Sequence, residues 1–286
     1  RLLLPWLENR VLSGSTEAST HNAMGKIIIT LNREPLNFLR NNQFYTPSII
    51  GAYCEKIDPH LAFEAYKHAR GECDPALIKV TMENGLFKDL SKYLVERQDM
   101  DLWSSVLKPE GWNPDEPEPP SRRYLLDQVI QNALPETKNP EEVSTTVKAF
   151  LQADLPGELI GLLERIVLQG TDFSNNKNLQ NLLILTAIRS NKPKVMEYIN
   201  RLDNFEGSEL AKICCTDEHC LFEEAFTIYL KFAKRTTGEE QQTYNVSAVE
   251  VLVNNIKDIE RAKEFAERVN IKPVWSKLAK AQCSNG

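Results

Sequence analysis

Three times in this chain a capping side chain stands directly before a proline: Asp58-Pro59, Asp74-Pro75 and Asn139-Pro140. Proline at the first helical position has no N–H to lose and a preset φ, while the Asp or Asn before it accepts from a free N–H of the first turn. Each pair therefore predicts a helix start. Apolar residues follow at helical spacing, most clearly Leu159, Leu162, Leu163, Ile166 and Val167, with Gly170 closing that helix. The same spacing predicts a helix over 139–153 with Val143, Val147, Phe150 and Leu151 on one face. Another is predicted over 258–269 with Ala262, Phe265, Ala266 and Val269 together. Each stripe needs a partner helix, and turns as short as 71–74 and 190–193 predict antiparallel hairpins stacked one on the next.

Size and composition agree with an array. At 286 residues the chain exceeds the length at which a single core usually stops growing, and its 12 glycines are too few for a turn-rich β architecture. The 34 basic and 40 acidic residues are interspersed, so no basic stripe suited to a phosphate backbone forms and nucleic acid is not an expected partner. The longest nearly apolar run, 182–188, falls far short of the roughly 20 residues of a membrane span. With no signal-peptide pattern at the N-terminus, the expectation is a soluble chain. Because it opens at Arg1 and runs at once into Leu2-Leu3-Leu4-Pro5-Trp6-Leu7, it reads as a segment of something longer. The cysteines (Cys54, Cys73, Cys214, Cys215, Cys220 and Cys283) are unevenly scattered, which suits reduced thiols in a cytosolic protein. Asn245-Val246-Ser247 matches a glycosylation sequon, idle in that compartment.

The β-branched run Ile27-Ile28-Ile29-Thr30 has strand propensity but no second strand to pair with, so helix is predicted there too. Two stretches break the pattern: 108–121, rich in proline and acid, and 234–245, polar around Thr236-Thr237-Gly238. Both are predicted to be mobile loops inserted in one continuous array over 1–286. Internal repetition supports the array, because 85–94 resembles 220–230 and each leads on to a tryptophan, Trp103 or Trp275.

Few residues invite chemistry. Cys214, Cys215, His219 and Cys220 suggest a metal, since Cys215 and His219 one turn apart would share a helix face. Adjacent cysteines diverge on a helix, however, and buried thiols beside a solvated histidine are the simpler expectation. His21, His60, His68 and His219 are scattered, and no nucleophile-elbow, zincin, P-loop or dinucleotide fingerprint occurs, so no catalytic residue, cofactor or metal ligand is assigned. Lys88, Lys92 and Arg97 surround Tyr93 on one predicted helix and form a basic face that an acidic partner helix would meet; the alternative is a solvated face. Trp103 and Trp275 are interface anchors by residue type, but their repeat-equivalent placement predicts that each packs between successive helix pairs.

Several strings are too long to arise from generic helix composition: Leu2-Leu3-Leu4-Pro5-Trp6-Leu7-Glu8, Thr20-His21-Asn22-Ala23, Tyr53-Cys54-Glu55-Lys56-Ile57-Asp58-Pro59-His60-Leu61-Ala62, 178–188, 195–204 and Trp275-Ser276-Lys277-Leu278-Ala279-Lys280-Ala281. In order and across nearly the whole chain they resemble the clathrin heavy-chain family. The resemblance implies an all-α fold, an α-solenoid wound as a right-handed superhelix of stacked antiparallel hairpins, with parts of two to three heavy-chain repeats. It implies a proximal-leg segment of a trimeric coat protein, on the cytoplasmic face of coated pits and vesicles, serving endocytosis and vesicle transport. The implied partners are a clathrin light chain and other heavy-chain legs, with Lys88, Lys92, Tyr93, Arg97 and Trp103 as the candidate light-chain contacts. No enzymatic activity, direct membrane insertion or nucleic-acid binding is implied. A vesicle-tethering subunit with the same repeat is the alternative. Both loops and the 214–220 stretch depart from the family pattern.

Overall fold

The computed structural model describes residues 3–108 and 120–285, the side chains of 283–285 excepted. Most of the proline-rich insertion expected over 108–121 thus lies outside the described residues. Contacts divide the chain into two compact units, Arg1–Ala153 and Asp154–Gly286. Among the described residues all regular structure is helical.

The first unit carries α1 (Leu4–Leu12), α2 (Ala18–Thr30), α3 (Pro35–Asn41), α4 (Pro47–Cys54), α5 (Pro59–Lys67), α6 (Asp74–Glu83), α7 (Phe87–Arg97) and α8 (Met100–Leu107). It continues with α9 (Pro120–Gln128), which passes through a π-helical turn (Val129–Ala133) into α10 (Leu134–Glu136), and ends with α11 (Pro140–Gln152). Successive helices pack as hairpins, α4 on α5, α5 on α6 and α6 on α7, and helices two apart also touch, α2 on α4 and α3 on α5. The second unit repeats the scheme with α12 (Pro156–Leu168), α13 (Lys177–Ser190), α14 (Lys192–Arg201), α15 (Gly207–Cys214), α16 (Phe222–Ala233), α17 (Gly238–Glu250) with its π-helical extension (Val251–Ile256), α18 (Ile259–Val269) and α19 (Lys272–Asn285). There α12 pairs with α13 and α15 with α16, while α13 reaches α15 and α14 reaches α16. Helix hairpins that pack mainly on those next along the chain are an α-solenoid.

Local chemistry explains the starts. Asp58 and Asn139 cap α5 and α11, accepting from the N–H of His60 at 2.9 Å and of Glu141 at 3.0 Å. Asp74 does not cap: α6 begins at Asp74 itself, and its carboxylate accepts from the Tyr93 hydroxyl. Gly170 follows the end of α12 with φ +75°, as predicted. Ile27, Ile28 and Ile29 lie in α2, where Ile27 and Ile28 pack on the buried Leu4, Leu7 and Met24 and Ile29 is itself buried. All five stripe residues of α12 are buried. In α11, Val143, Val147 and Phe150 are buried as expected but Leu151 is 46% exposed. The face instead turns inward through Ala149 and Thr146, whose hydroxyl donates to the Glu142 carbonyl at 2.8 Å.

The 234–245 loop is corrected. Only a turn separates α16 from α17, and helix resumes at Gly238. Glu239 and Glu240 sit in the first turn, where the helix dipole favours acid, and Asn245, Ala248 and Val249 are buried. The Thr-Thr-Gly signal marked a real turn, but the turn is short and packing extends the helix up to it.

Close approach between hairpins needs a missing side chain at Gly51, where a Cβ would fall 2.2 Å from the Tyr66 ring. Tyr66 is 3% exposed and its hydroxyl is held by Glu55, so the ring has nowhere to go. Gly51→Ala is expected to destabilise the first unit by about 1–3 kcal/mol, read from urea unfolding. Gly157→Ala in α12, where nothing lies within 4 Å of the added carbon, should instead be neutral or stabilising by up to about 1 kcal/mol.

Candidate functional site

The basic face around Tyr93 is resolved into different roles. Lys88 is exposed in the first turn of α7. Lys92 is partly exposed and its ammonium lies 2.7 Å from the Glu136 carboxylate, a contact that holds Glu136 below the usual carboxylate range. Arg97 faces inward: its Nη1 donates to the Arg70 carbonyl at 3.1 Å, beyond the end of α5. Its Nη2 approaches Asp74 and Asp99 at 3.5 and 3.4 Å. Tyr93 is 2% exposed, and burial followed by its bond to Asp74 pushes its hydroxyl pKa up. Trp103 is 1% exposed, edge-on to Phe150 with ring centroids 6.0 Å apart.

Tyr93 and Trp103 therefore leave the expected contact surface. Both side chains are consumed in packing α7 and α8 on their neighbours, which leaves Lys88 and Lys92 as its outward members. The repeat equivalence of the tryptophans also fails in burial. Trp275 is 36% exposed, because α19 buries Val274 and Leu278 and Trp275 lies one residue off that stripe.

The cysteine cluster is not one helix face. α15 ends at Cys214, and the chain then turns, with the Leu221 N–H donating back to the Cys214 carbonyl at 2.9 Å and Cys220 at φ +53°. Burial pushes the Cys214 thiol up to about 12 and also raises Cys215, so neither is poised as a thiolate. Among the described residues no group of three or more His, Cys, Asp or Glu side chains is placed to hold a metal. The histidines sit in separate local settings. His21 is held between the Ser15 carbonyl and the Asn42 amide at 2.8 and 2.7 Å, His60 lies 3.6 Å from Asp89, and His68 packs on Tyr45.

What sequence reading missed is a set of polar straps between hairpins. Buried tyrosines donate to a carboxylate on or just after an earlier helix: Tyr66 to Glu55, Tyr93 to Asp74, and Tyr198 to Glu164 at 2.6 Å. Cations bridge helices two apart: Arg40 to Glu64 through both carboxylate oxygens, Lys67 to Glu96 at 2.9 Å, and Arg261 to Glu223 at 2.6 and 2.8 Å. Lys231, only 15% exposed, donates at 2.7 Å to the Ile199 carbonyl in the last turn of α14, where a cation is favoured, and pairs with Asp203 at 2.9 Å. The signal was available as opposite charges one hairpin apart, 24 residues for Arg40 and Glu64, 29 for Lys67 and Glu96, and 38 for Arg261 and Glu223.

Such an arrangement binds hairpin to hairpin and, among the described residues, gathers no nucleophile, base and oxyanion donors in one place. Comparison with known sequences fits it. Residues 1–109 and 134–286 match a family model described as a region in clathrin and VPS. The chain belongs to that clathrin repeat family. The unmatched stretch, 110–133, contains most of the proline-rich insertion. Relatives within the family include a clathrin heavy chain of Dictyostelium discoideum, 54% identical over 282 residues, covering 99% of this chain and 15% of that protein. Clathrin heavy chain 2 of Homo sapiens is 52% identical over 282 residues, covering 99% of this chain and 16% of that protein. Clathrin heavy chain 1 of Oryza sativa subsp. japonica is 52% identical over 286 residues, 100% of this chain and 16% of that protein. The chain thus spans 15–16% of the length of these relatives.

The best-formed strap gives a pH test. Burial alone would raise the Glu164 pKa, but hydrogen bonds from Lys194 at 2.7 Å and Tyr198 outweigh it, and the carboxyl is held below its ordinary value of 4.5. Stability from this group is present above the unfolded value and lost as pH falls through the folded one. The urea midpoint of the parent should exceed that of Glu164→Gln at pH 7, and the gap should close as pH falls below about 4.

Proposed function

We propose that this chain is a scaffold segment of a clathrin heavy-chain leg, whose work is to hold a stiff run of hairpins in a vesicle coat at the cytoplasmic face of pits and vesicles. The observation that carries the reading is identity of about half to clathrin heavy chains over essentially the whole chain. The tethering-subunit alternative shares the repeat but lacks that support. The polar chemistry is of the kind a scaffold needs, because carboxylates, tyrosines and cations are spent between hairpins. No catalytic role follows. Among the described residues no helix is long and apolar enough to cross a membrane, so recruitment to a coat would run through protein partners.

In this reading the long sides of the helices contact other heavy-chain legs and an acidic light-chain helix through many individually weak contacts, whose avidity arises only in the assembled lattice. The outward edge of α7, Lys88 and Lys92, is the proposed light-chain face. A pull-down with an acidic light-chain helix tests it. Retention by the parent and a loss of about fivefold or more in a Lys88→Glu, Lys92→Glu variant that keeps its helical circular dichroism is the expected result. Equal retention by both would remove this face from the reading, and no retention by the parent would remove the light chain and leave leg-to-leg packing as the scaffold's contact.

A further inference from the structure

The second unit holds a cleft that neither the straps nor the α7 face uses. It lies among α16, α17 and α18 and has a volume of about 720 Å3. Leu230, Phe265, Val269 and Ile271 supply its apolar lining, and Gln241, Gln242 and Asn245 from α17 supply amides.

Three features of this cleft point to a ligand. Asn245 is 8% exposed, yet its side-chain amide has no hydrogen-bond partner among the described residues, although it lines the cleft. Its amide atoms are open to the cleft, so a group that enters can pair with them. The spacing of the amides is the second feature. Gln241 and Asn245 are one helical turn apart, about 6 Å, and alternate residues of an extended peptide, which present N–H and C=O to the same side, repeat every ~6.6 Å. The Gln241 Nε2 already donates to the Ala233 carbonyl at 3.0 Å, which leaves its side-chain oxygen to accept.

Charge is the third feature. The chain carries a formal net charge of −6, yet this cleft is lined by Lys234 and Arg268 and by no acidic residue. Neither cation makes an ion pair among the described residues; the Arg268 guanidinium lies over the Phe265 ring, 5.4 Å from its centroid. A guanidinium resting on a ring at the edge of an apolar surface is placed to meet a carboxylate whose neighbouring side chain is apolar.

We propose that the cleft binds a short extended peptide carrying an acidic residue beside an apolar one. The apolar side chain rests on Leu230, Phe265 and Val269, the carboxylate lies between Lys234 and Arg268, and the peptide backbone pairs with Asn245 and Gln241. The amide wall comes from α17, and the site stands independently of the coat reading.

Fluorescence anisotropy of the 286-residue chain tests it, with a short labelled peptide of alternating leucine and aspartate as probe. Peptides of alternating serine and aspartate, and of leucine and lysine, are the controls. Saturable binding of the leucine–aspartate probe is expected. It should weaken about tenfold or more in a Lys234→Glu, Arg268→Glu variant, whose changes are at the surface. Asn245→Leu should weaken binding about tenfold while the thermal midpoint is held or raised, since it removes an unmatched amide rather than a packing contact. The proposal is overturned by absent saturable binding, or by equal affinity for parent and charge-reversed variant. It is also overturned if the serine–aspartate peptide binds as tightly, which would mean a plain anion site, or if the leucine–lysine peptide does, which would mean unspecific apolar adhesion.

Discussion

Burial of an apolar stripe between a helix and the neighbours one and two positions along the chain is the interaction on which this structure depends. Its helices are short: α14 has 10 residues and α4 has 8. In water, isolated helices shorter than ~12–15 residues are marginal. Each therefore exists because its stripe is covered, as when Leu159, Leu162, Leu163, Ile166 and Val167 of α12 close against α13. A fully buried leucine or isoleucine is worth about 1.5–3 kcal/mol, so a stripe of five outweighs any polar contact in its hairpin.

Polar groups then decide how neighbouring hairpins are fastened. A tyrosine hydroxyl donating to an ionised carboxylate away from bulk water contributes about 1.5–3 kcal/mol, more than the ~0–1 kcal/mol of an exposed ion pair. Tyr93–Asp74 and Tyr198–Glu164, whose carboxylates are partly buried, are thus stronger fasteners than Tyr66–Glu55, whose carboxylate is exposed. Arg40–Glu64 and Lys67–Glu96, with more exposed side chains, act mainly on register. Arg97 links the two kinds: it packs against Tyr93, shares Asp74 and reaches the carbonyl beyond the end of α5. A residue with the composition of a binding face is in this way drawn into a joint. Lys88, exposed in the first turn of α7, stays outside these joints.

Helix starts and stripes were legible in the sequence because they are local: an Asp or Asn before a proline and a three-to-four spacing can be read within one turn. The errors have a common origin in what lies outside that window. The Thr236-Thr237-Gly238 signal announced a loop, but burial of Ala248 and Val249 and acid in the first turn carry α17 up to the glycine. The spacing of Cys215 and His219 suggested a shared helix face until α15 stopped at Cys214. Trp103 packs inside as its repeat placement predicted, whereas Tyr93 looked like part of a binding face and its burial is set by other helices. The same holds for Asn245, a glycosylation acceptor by motif and a buried amide in a cleft by structure.

If stability is built mainly from neighbouring helices, native-state hydrogen exchange after a single cavity-forming substitution shows it most directly. Leu163 is wholly buried in α12. In Leu163→Ala, protection should fall in α12, α13 and α14 and stay at parent values in α4 and α5, as nearest-neighbour energetics requires. An equal fall of protection in α4 and α5 would contradict the claim and would mean that the chain unfolds as one cooperative core.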